Sequence, residues 1–355
     1  MEDNIEVALE ILKNTGPEFG QGFSNHGPMA AEAMITMNRP DGVQHWTELY
    51  KKRLHDHPQP KDAINEQNWQ EALGKHDRVG DWSVYFRRQL KEDSWQVAID
   101  KWVPILAPGM MAGGTHGIIR TGHAVRSLTR QESQIRLDEL AEGLSYWASS
   151  FIRLPGVRDV AVGSLRPPVA IEKVPVVPKE ELGRYKLIEE SMQALELLPT
   201  FPKVVDEIDV SGSYSEFLSE LTETTAACYL QNATSIGHAI AFIHTVTAPS
   251  MLRVLMPFVS STKHDEVLSY AWQTAMGLYS VYGQEGRFGG CSAQEEKRDD
   301  LIDRAVRTND EHAMKFAEAC LREHDLNPKP IYLAATSHAS RLIGKEPVTP
   351  ALAQC

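Results

Sequence analysis

The fold class follows from one stretch, residues 137–147, which read Leu-Asp-Glu-Leu-Ala-Glu-Gly-Leu-Ser-Tyr-Trp. Its large apolar residues recur at three- and four-residue spacing, which lays them along one face of a helix: Leu137, Leu140, Leu144 and Trp147. Two stripes of the same kind precede it, formed by Trp82, Tyr85, Phe86 and Leu90 and by Trp95, Ile99 and Trp102. Strand patterns are sparse. The sequence therefore predicts a mainly α protein built from many helices.

The middle of the chain departs from this helical pattern. The best β-like stretch runs from Val157 to Pro178, but its prolines cannot donate hydrogen bonds within a sheet. We therefore predict an extended, proline-rich connector that joins two helical halves near residues 155–178. Because the candidate ligands described below come from both halves, we expect residues 1–355 to form a single large multi-helix domain.

Composition excludes several classes of protein. The 355 residues carry a formal net charge of −12, which repels nucleic acid and anionic membrane surfaces. The N-terminus lacks the basic start and apolar run of a secretory signal, and no run approaches about 20 uninterrupted apolar residues. The cysteines form no Cys-x-x-Cys pair, so neither a disulfide framework nor a thiolate zinc site is indicated (Cys228, Cys291, Cys320, Cys355). A cytoplasmic protein without nucleic-acid or membrane partners is expected.

Familiar catalytic motifs are missing from the sequence. It contains no phosphate-binding Gly-x-x-x-x-Gly-Lys-Ser/Thr loop, no Gly-x-Gly-x-x-Gly turn after a strand, no Gly-x-Ser-x-Gly elbow and no His-Glu-x-x-His pair. The motifs therefore do not indicate ATP hydrolysis, direct dinucleotide binding or hydrolysis by a serine nucleophile. The chemistry has to come from other residues, and the 13 histidines are the obvious candidates.

Two of these histidines lie at predicted helix starts in the first half. His26 follows Ser24 and Asn25, either of which can cap a helix. His116 follows two glycines and Thr115, which is again a suitable cap residue. His123 lies seven residues after His116, about 10 Å further along a helix, so at most one of these two histidines can bind a given ion.

Two more candidates lie in the second half. His244 is in an apolar stretch that ends before a proline, and Thr308 with Glu311 form a predicted capping box that opens a helix carrying His312 and Lys315. Neutral imidazole is the commonest metal ligand, and helical bundles hold metals with side chains from different helices. Each histidine alone is more often a core residue. Six of the remaining ones lie in charged or polar surroundings and are predicted to be solvated (His45, His55, His57, His76, His264, His324). His238 is six residues before His244 and would point away from it on a regular helix, and His338 has no distinguishing feature.

Several motifs resemble the questin oxidase-like family. They are residues 26–33 (His-Gly-Pro-Met-Ala-Ala-Glu-Ala), 116–126 (His-Gly-Ile-Ile-Arg-Thr-Gly-His-Ala-Val-Arg), 244–249 (His-Thr-Val-Thr-Ala-Pro) and 311–315 (Glu-His-Ala-Met-Lys). The shorter landmarks Gly80-Asp81-Trp82, Trp102-Val103-Pro104 and Tyr146-Trp147-Ala148 follow the family's order. The family includes fungal enzymes that open anthraquinone rings by oxidation.

The resemblance implies a non-heme iron oxygenase with one Fe(II) bound by four histidines and a carboxylated lysine. Carried over to this chain, the ligands are His26, His116, His244, His312 and Lys315. A buried lysine loses its proton easily, and the neutral amine can add carbon dioxide to give an anionic oxygen ligand. The substrate would be a small aromatic or quinone, polyketide-like molecule that reacts with dioxygen. Near His116, Arg120 and His123 are candidates for orienting a ligand or binding a phenolate.

Other readings of the same residues stay open. Lys315 can equally form a surface ion pair with Glu311 or Glu318. Carboxylated lysine also occurs in two-metal hydrolases, for which His55-Asp56-His57 has the required His-x-His spacing. A non-catalytic helical binding protein would use the histidines for packing only. An oxygenase that needs NADPH would take its electrons from a separate reductase, because no nucleotide motif is present. The sequence leaves the oligomeric state open.

Overall fold

The computed structural model describes residues 5–159, 163–183, 185–284 and 296–345. These residues form two compact units, which are residues 1–153 with 254–263 and residues 154–253 with 264–355. Helices dominate both units, and the described residues contain one sheet, a two-stranded antiparallel hairpin. The prediction of a mainly α protein is confirmed.

The described part of the first unit contains eight α-helices and the hairpin. The helices are α1 (Ile5–Leu12), α2 (Gly27–Thr36), α3 (Val43–Lys51), α4 (Trp69–Ala72), α5 (Val79–Glu92), α6 (Trp95–Leu106), α7 (His116–Arg130) and α8 (Gln134–Ser149). Strands β1 (Glu18–Phe19) and β2 (Phe23–Ser24) lie between α1 and α2. Short 3₁₀ helices span Pro40–Gly42, His76–Arg78, Ala107–Gly109, Met256–Phe258 and Ser261–Lys263.

The apolar stripes read from the sequence form the core of this unit. Trp82, Phe86 and Trp102 are fully buried and contact one another through α5 and α6, with ring centroids 5.0–5.7 Å apart. Helix α7 packs closely on α8 at Gly117, where a Cβ atom would lie 2.7 Å from the backbone of Trp147. This close approach fixes the position of the N-terminal end of α7, where His116 lies.

The second unit contains the remaining α-helices of the described residues. They are α9 (Pro167–Ala170), α10 (Ile188–Ser191), α11 (Val204–Glu207), α12 (Tyr214–Asn232), α13 (Ile236–Leu255), α14 (His264–Tyr282), α15 (Arg298–Arg307), α16 (Glu311–Leu326) and α17 (Pro330–Ile343). Short 3₁₀ helices span Ile171–Lys173, Met192–Leu197 and Phe201–Lys203. Helices α16 and α17 pack on each other, and both contact α12.

The proline-rich middle is less extended than the sequence suggests. Pro167 and Pro168 open the short helix α9 instead of interrupting a strand, because the N–H group that proline lacks is not needed in a first helical turn. Leu165 forms an isolated parallel bridge with Ile208, and no hairpin forms in the described part of residues 157–178. Residues 160–162 of this stretch lie outside the described part.

By length and composition, the helix that runs over Ile236–Phe258 is apolar enough to cross a membrane. However, 83% of its apolar window is buried inside the protein. A buried core helix meets the same criterion, so the helix gives only weak support for a membrane span.

Candidate metal centre

His26 stands directly before α2. The sequence predicts Ser24 or Asn25 as the cap of this helix, but its N-cap residue is His26 itself. Asn25 accepts a hydrogen bond from the Gly27 N–H group (3.0 Å), and the His26 N–H group donates to the Tyr50 hydroxyl (2.7 Å). These contacts hold the backbone of His26 in a buried position, with 4% of the residue exposed.

His116 is the first residue of α7, and a tight left-handed turn leads into it. The φ angles of Gly113, Gly114 and Thr115 are +57°, +63° and +75°. The prediction that Thr115 caps α7 through its side chain is wrong. With this backbone the Thr115 hydroxyl makes no capping hydrogen bond, because a capping side chain requires an extended N-cap residue. The turn brings the Gly113 carbonyl to 2.6 Å from Nδ1 of His116.

This contact determines which ring nitrogen of His116 is available to a metal. A carbonyl oxygen can only accept a hydrogen bond, so Nδ1 carries the proton and Nε2 carries the lone pair. Metal-binding histidines are typically oriented in this way, by a hydrogen bond from the nitrogen that does not bind the metal.

The two histidines of the first unit meet through their Nε2 atoms. These atoms lie 2.6 Å apart, and the ring planes are inclined by 74°. Because Nε2 of His116 carries a lone pair, the contact is either a hydrogen bond donated by His26 or two lone pairs directed at one cation. The pair therefore fits two ligands of a metal ion.

In the second unit, His244 and His312 are oriented in the same manner. Nδ1 of His244 lies 2.6 Å from the Ile240 carbonyl, and Nδ1 of His312 lies 3.2 Å from the Asp310 carboxylate. Their ring centroids are 5.8 Å apart. Burial, together with the charges of Lys315 and His312, holds the pKa of His244 well below its usual range, so this ring is neutral and able to bind a metal.

The start of α16 differs from the predicted capping box. The N-cap residue is Asp310, whose carboxylate accepts a hydrogen bond from the His312 N–H group (2.8 Å). Thr308 instead ends the preceding helix, α15. The prediction that His312 and Lys315 share one helix is confirmed, and the capping box formed by Thr308 and Glu311 is wrong.

Lys315 is buried in surroundings that are unusual for a lysine. Only 1% of the residue is exposed, and Nζ makes no hydrogen bond to any residue in the described part of the chain. Burial lowers the pKa of Lys315 to about 7, although Glu311 and Asp310 oppose the shift. Glu318 bonds to Arg322 instead (2.9 Å). A surface ion pair is therefore ruled out for Lys315.

Arg120 and His123 each have a buried carboxylate partner in the first unit. Arg120 forms two hydrogen bonds with Glu139, of 2.7 and 2.8 Å. His123 contacts Glu32 through Nδ1 at 2.7 Å. Burial alone would raise the pKa of Glu32, but Arg126 and His123 hold it well below its usual range. Arg120 and His123 are thus each held in place by a buried carboxylate, and their suggested roles toward a ligand stay predictions.

Arg120 also lines a polar cavity of about 430 Å³ in the first unit. The same cavity is lined by His57, which the sequence suggests to be solvated. Its Nε2 atom lies 2.9 Å from Glu142, and this carboxylate raises the pKa of His57 although burial alone would lower it. His57 and Glu142 are 85 residues apart, so no local pattern in the sequence reveals the pair.

His338 was also missed by sequence reasoning. It is buried on α17, and Nδ1 lies 3.0 Å from the Tyr229 hydroxyl on α12. Burial lowers the pKa of His338, so the ring that forms this hydrogen bond with the phenol is neutral. Helical periodicity gives only a weak signal here, because His338 follows Ala334 and Ala335 on the buried face of its helix.

Residues 23–147 match the model of the questin oxidase-like family. The match includes His26 and His116 and ends before His244, His312 and Lys315. No curated protein matches the chain. The match confirms the resemblance indicated by the motifs of the first half, and such a family indicates an oxidoreductase of the oxidase or oxygenase type.

Proposed function

We propose that this chain, which matches the questin oxidase-like family over residues 23–147, is a non-heme iron oxygenase that opens a ring of an aromatic or quinone, polyketide-like substrate. The family match supports an oxidoreductase. The iron, the ring cleavage and the substrate class are our extension of it. They rest on the chemistry of the buried histidines and Lys315.

The proposed ligands of one Fe(II) are His26, His116, His244, His312 and Lys315. Imidazole nitrogens and one anionic oxygen form a ligand set that suits iron. In His116, His244 and His312, Nδ1 contacts a carbonyl or carboxylate oxygen, so that Nε2 is the nitrogen left for the metal. An ion held by these five residues would still be able to bind an exogenous molecule.

Lys315 is the single observation that carries the proposal. This amine is buried and has no hydrogen-bond partner in the described part of the chain, which lowers the free energy of unfolding. A role in function would explain why a lysine stands at this position. With a pKa of about 7, a large fraction of this amine is neutral at neutral pH. The neutral amine can attack carbon dioxide and lose one proton, and the resulting carbamate is the anionic oxygen ligand that the set needs.

Bound Fe(II) would supply the activation of dioxygen and the polarisation of a substrate oxygen. The chain's own residues would bind and orient the substrate. Arg120 lines the polar cavity of about 430 Å³ and carries a fixed charge beside Glu139, which suits a phenolate or quinone oxygen. His123, whose ring is fixed by Glu32, would act by maintaining the position of α7 relative to α2.

The second candidate is a two-metal hydrolase with a carboxylated lysine. The buried Lys315 supports the hydrolase and the oxygenase equally. Its predicted His-x-His pair is less suitable, because both ring nitrogens of His57 already contact Glu142 and the Pro58 carbonyl at 2.9 Å. The hypothesis of a non-catalytic binding protein does not explain why the Lys315 amine is buried. An oxygenase that takes its electrons from a separate reductase remains compatible with the proposal.

The test is oxygen consumption with a panel of anthraquinones before and after iron removal. We expect turnover to disappear when a chelator removes the iron and to return when Fe(II) is added. Lys315→Ala should abolish turnover, and the matched variant of the exposed Lys51, Lys51→Ala, should retain it. Unchanged turnover in the metal-free protein would contradict the proposal.

A further inference from the structure

Thr115 combines two unfavourable features in one buried residue. It is the third residue of the left-handed turn before α7, with φ of +75°. Left-handed backbone is uncommon for any residue other than glycine and is a genuine outlier for a β-branched one. Two glycines precede it in the same conformation, and a third would remove the strain. The presence of a threonine here therefore calls for a reason other than backbone geometry.

The side chain of Thr115 has no partner that would explain it. The residue is 0% exposed, and its Oγ1 atom makes no hydrogen bond to any described residue. The hydroxyl does not cap α7, although Thr115 holds the N-cap position. A buried hydroxyl without a partner destabilises the folded state, and most such groups in proteins are satisfied. A ligand that is bound during function would satisfy it.

The location indicates the charge of such a ligand. Thr115 directly precedes His116, whose Nε2 atom lies 2.6 Å from Nε2 of His26. It also lies at the N-terminus of α7, a helix of 15 residues, where the helix dipole favours negative charge. A hydroxyl donor and a helix N-terminus beside a pair of histidines suit a small anion.

We propose that the Thr115 hydroxyl donates a hydrogen bond to a small anionic ligand that binds beside His116 at the N-terminus of α7. The inference rests on the proposed function, because this ligand would bind beside His116, one of the residues proposed to hold the iron.

Azide binding to the iron-loaded protein tests this inference, because azide is a small anion that accepts hydrogen bonds. The two test variants are Thr115→Ser and Thr115→Ala, which differ from each other only by the hydroxyl oxygen and both retain a Cβ atom. The control is Thr47→Ala, since Thr47 is equally buried but donates its hydroxyl proton to the Val43 carbonyl at 2.7 Å. Iron content and the azide dissociation constant are measured for all four proteins.

We expect equal iron content throughout. Loss of a hydrogen bond to a charged ligand should weaken azide binding about tenfold to a hundredfold in Thr115→Ala, and Thr115→Ser and Thr47→Ala should bind azide like the wild type. Equal azide affinity in Thr115→Ala and Thr115→Ser would overturn the inference and leave the proposed function intact. A wild type that binds no iron would overturn the proposed function, and the inference with it.

Discussion

Replacing Lys315 by methionine should stabilise the metal-free protein, and the gain should depend on pH. Burial lowers the pKa of Lys315 from 10.5 to about 7, so the folded state binds the lysine proton less tightly than the unfolded state. Each pKa unit corresponds to about 1.4 kcal/mol, which makes the cost at pH 6.5 on the order of 4 kcal/mol. Methionine has a similar length and no charge, so Lys315→Met removes this cost.

The sign of the pH dependence follows from proton binding. Between pH 7 and pH 10.5 the unfolded state carries the lysine proton and the folded state does not, so the stability of the wild type rises with pH. Below the folded pKa the full cost is present. The stability advantage of Lys315→Met should therefore shrink by about 2.5 kcal/mol between pH 6.5 and pH 9.

The assay is guanidinium unfolding of metal-free protein in buffer purged of carbon dioxide, followed by circular dichroism at several pH values. Lys51→Met is the control, because Lys51 is exposed and should show no comparable pH-dependent advantage. If Lys315→Met were less stable than the wild type at pH 6.5, or if its advantage were the same at pH 9, Lys315 would not be a desolvated amine and the argument for its carboxylation would fail.

Two further predictions concern the first unit. In Gly113→Ala the new Cβ atom would lie 2.5 Å from the Tyr146 hydroxyl at a φ of +57°, so thermal unfolding should show a loss of about 3 kcal/mol. Gly212→Ala, with a φ of +88° and no atom within 4 Å of its Cβ, should lose only about 1 kcal/mol. His57→Gln should destabilise the protein by about 1–2 kcal/mol at pH 6, because it removes a charged hydrogen bond to Glu142. This loss should decrease as pH rises through the raised pKa of His57, and a constant loss across that range would contradict a protonated His57.

The sequence predicted local structure better than tertiary partners. The three-residue spacing of His312 and Lys315 correctly indicated one helix, because helical periodicity is a local property. The burial of Lys315 was not predictable from its neighbours, since Glu311 and Glu318 make the local sequence look like a solvated face. The tertiary packing of α16 decides that burial.

Capping preferences failed where tertiary structure overrides them. Thr115 has the residue type of an N-cap, but the left-handed conformation of Gly113 and Gly114 continues through it. Similarly, Thr308 ends one helix while Asp310 caps the next, and both residues suit either position. The backbone conformation of the residues before a helix determines which residue becomes its N-cap. A propensity scale contains no information on that conformation.

The proposed iron site is best tested by the metal content of the purified protein, measured by plasma mass spectrometry after growth with iron. The proteins to compare are the wild type, His116→Ala, His244→Ala and Lys315→Ala, with Lys51→Ala as the control. We expect about one iron per chain in the wild type and in the control, and its loss in every ligand variant. Two metals per chain would favour the hydrolase, and iron retained in any of these ligand variants would contradict a single site formed by all five residues.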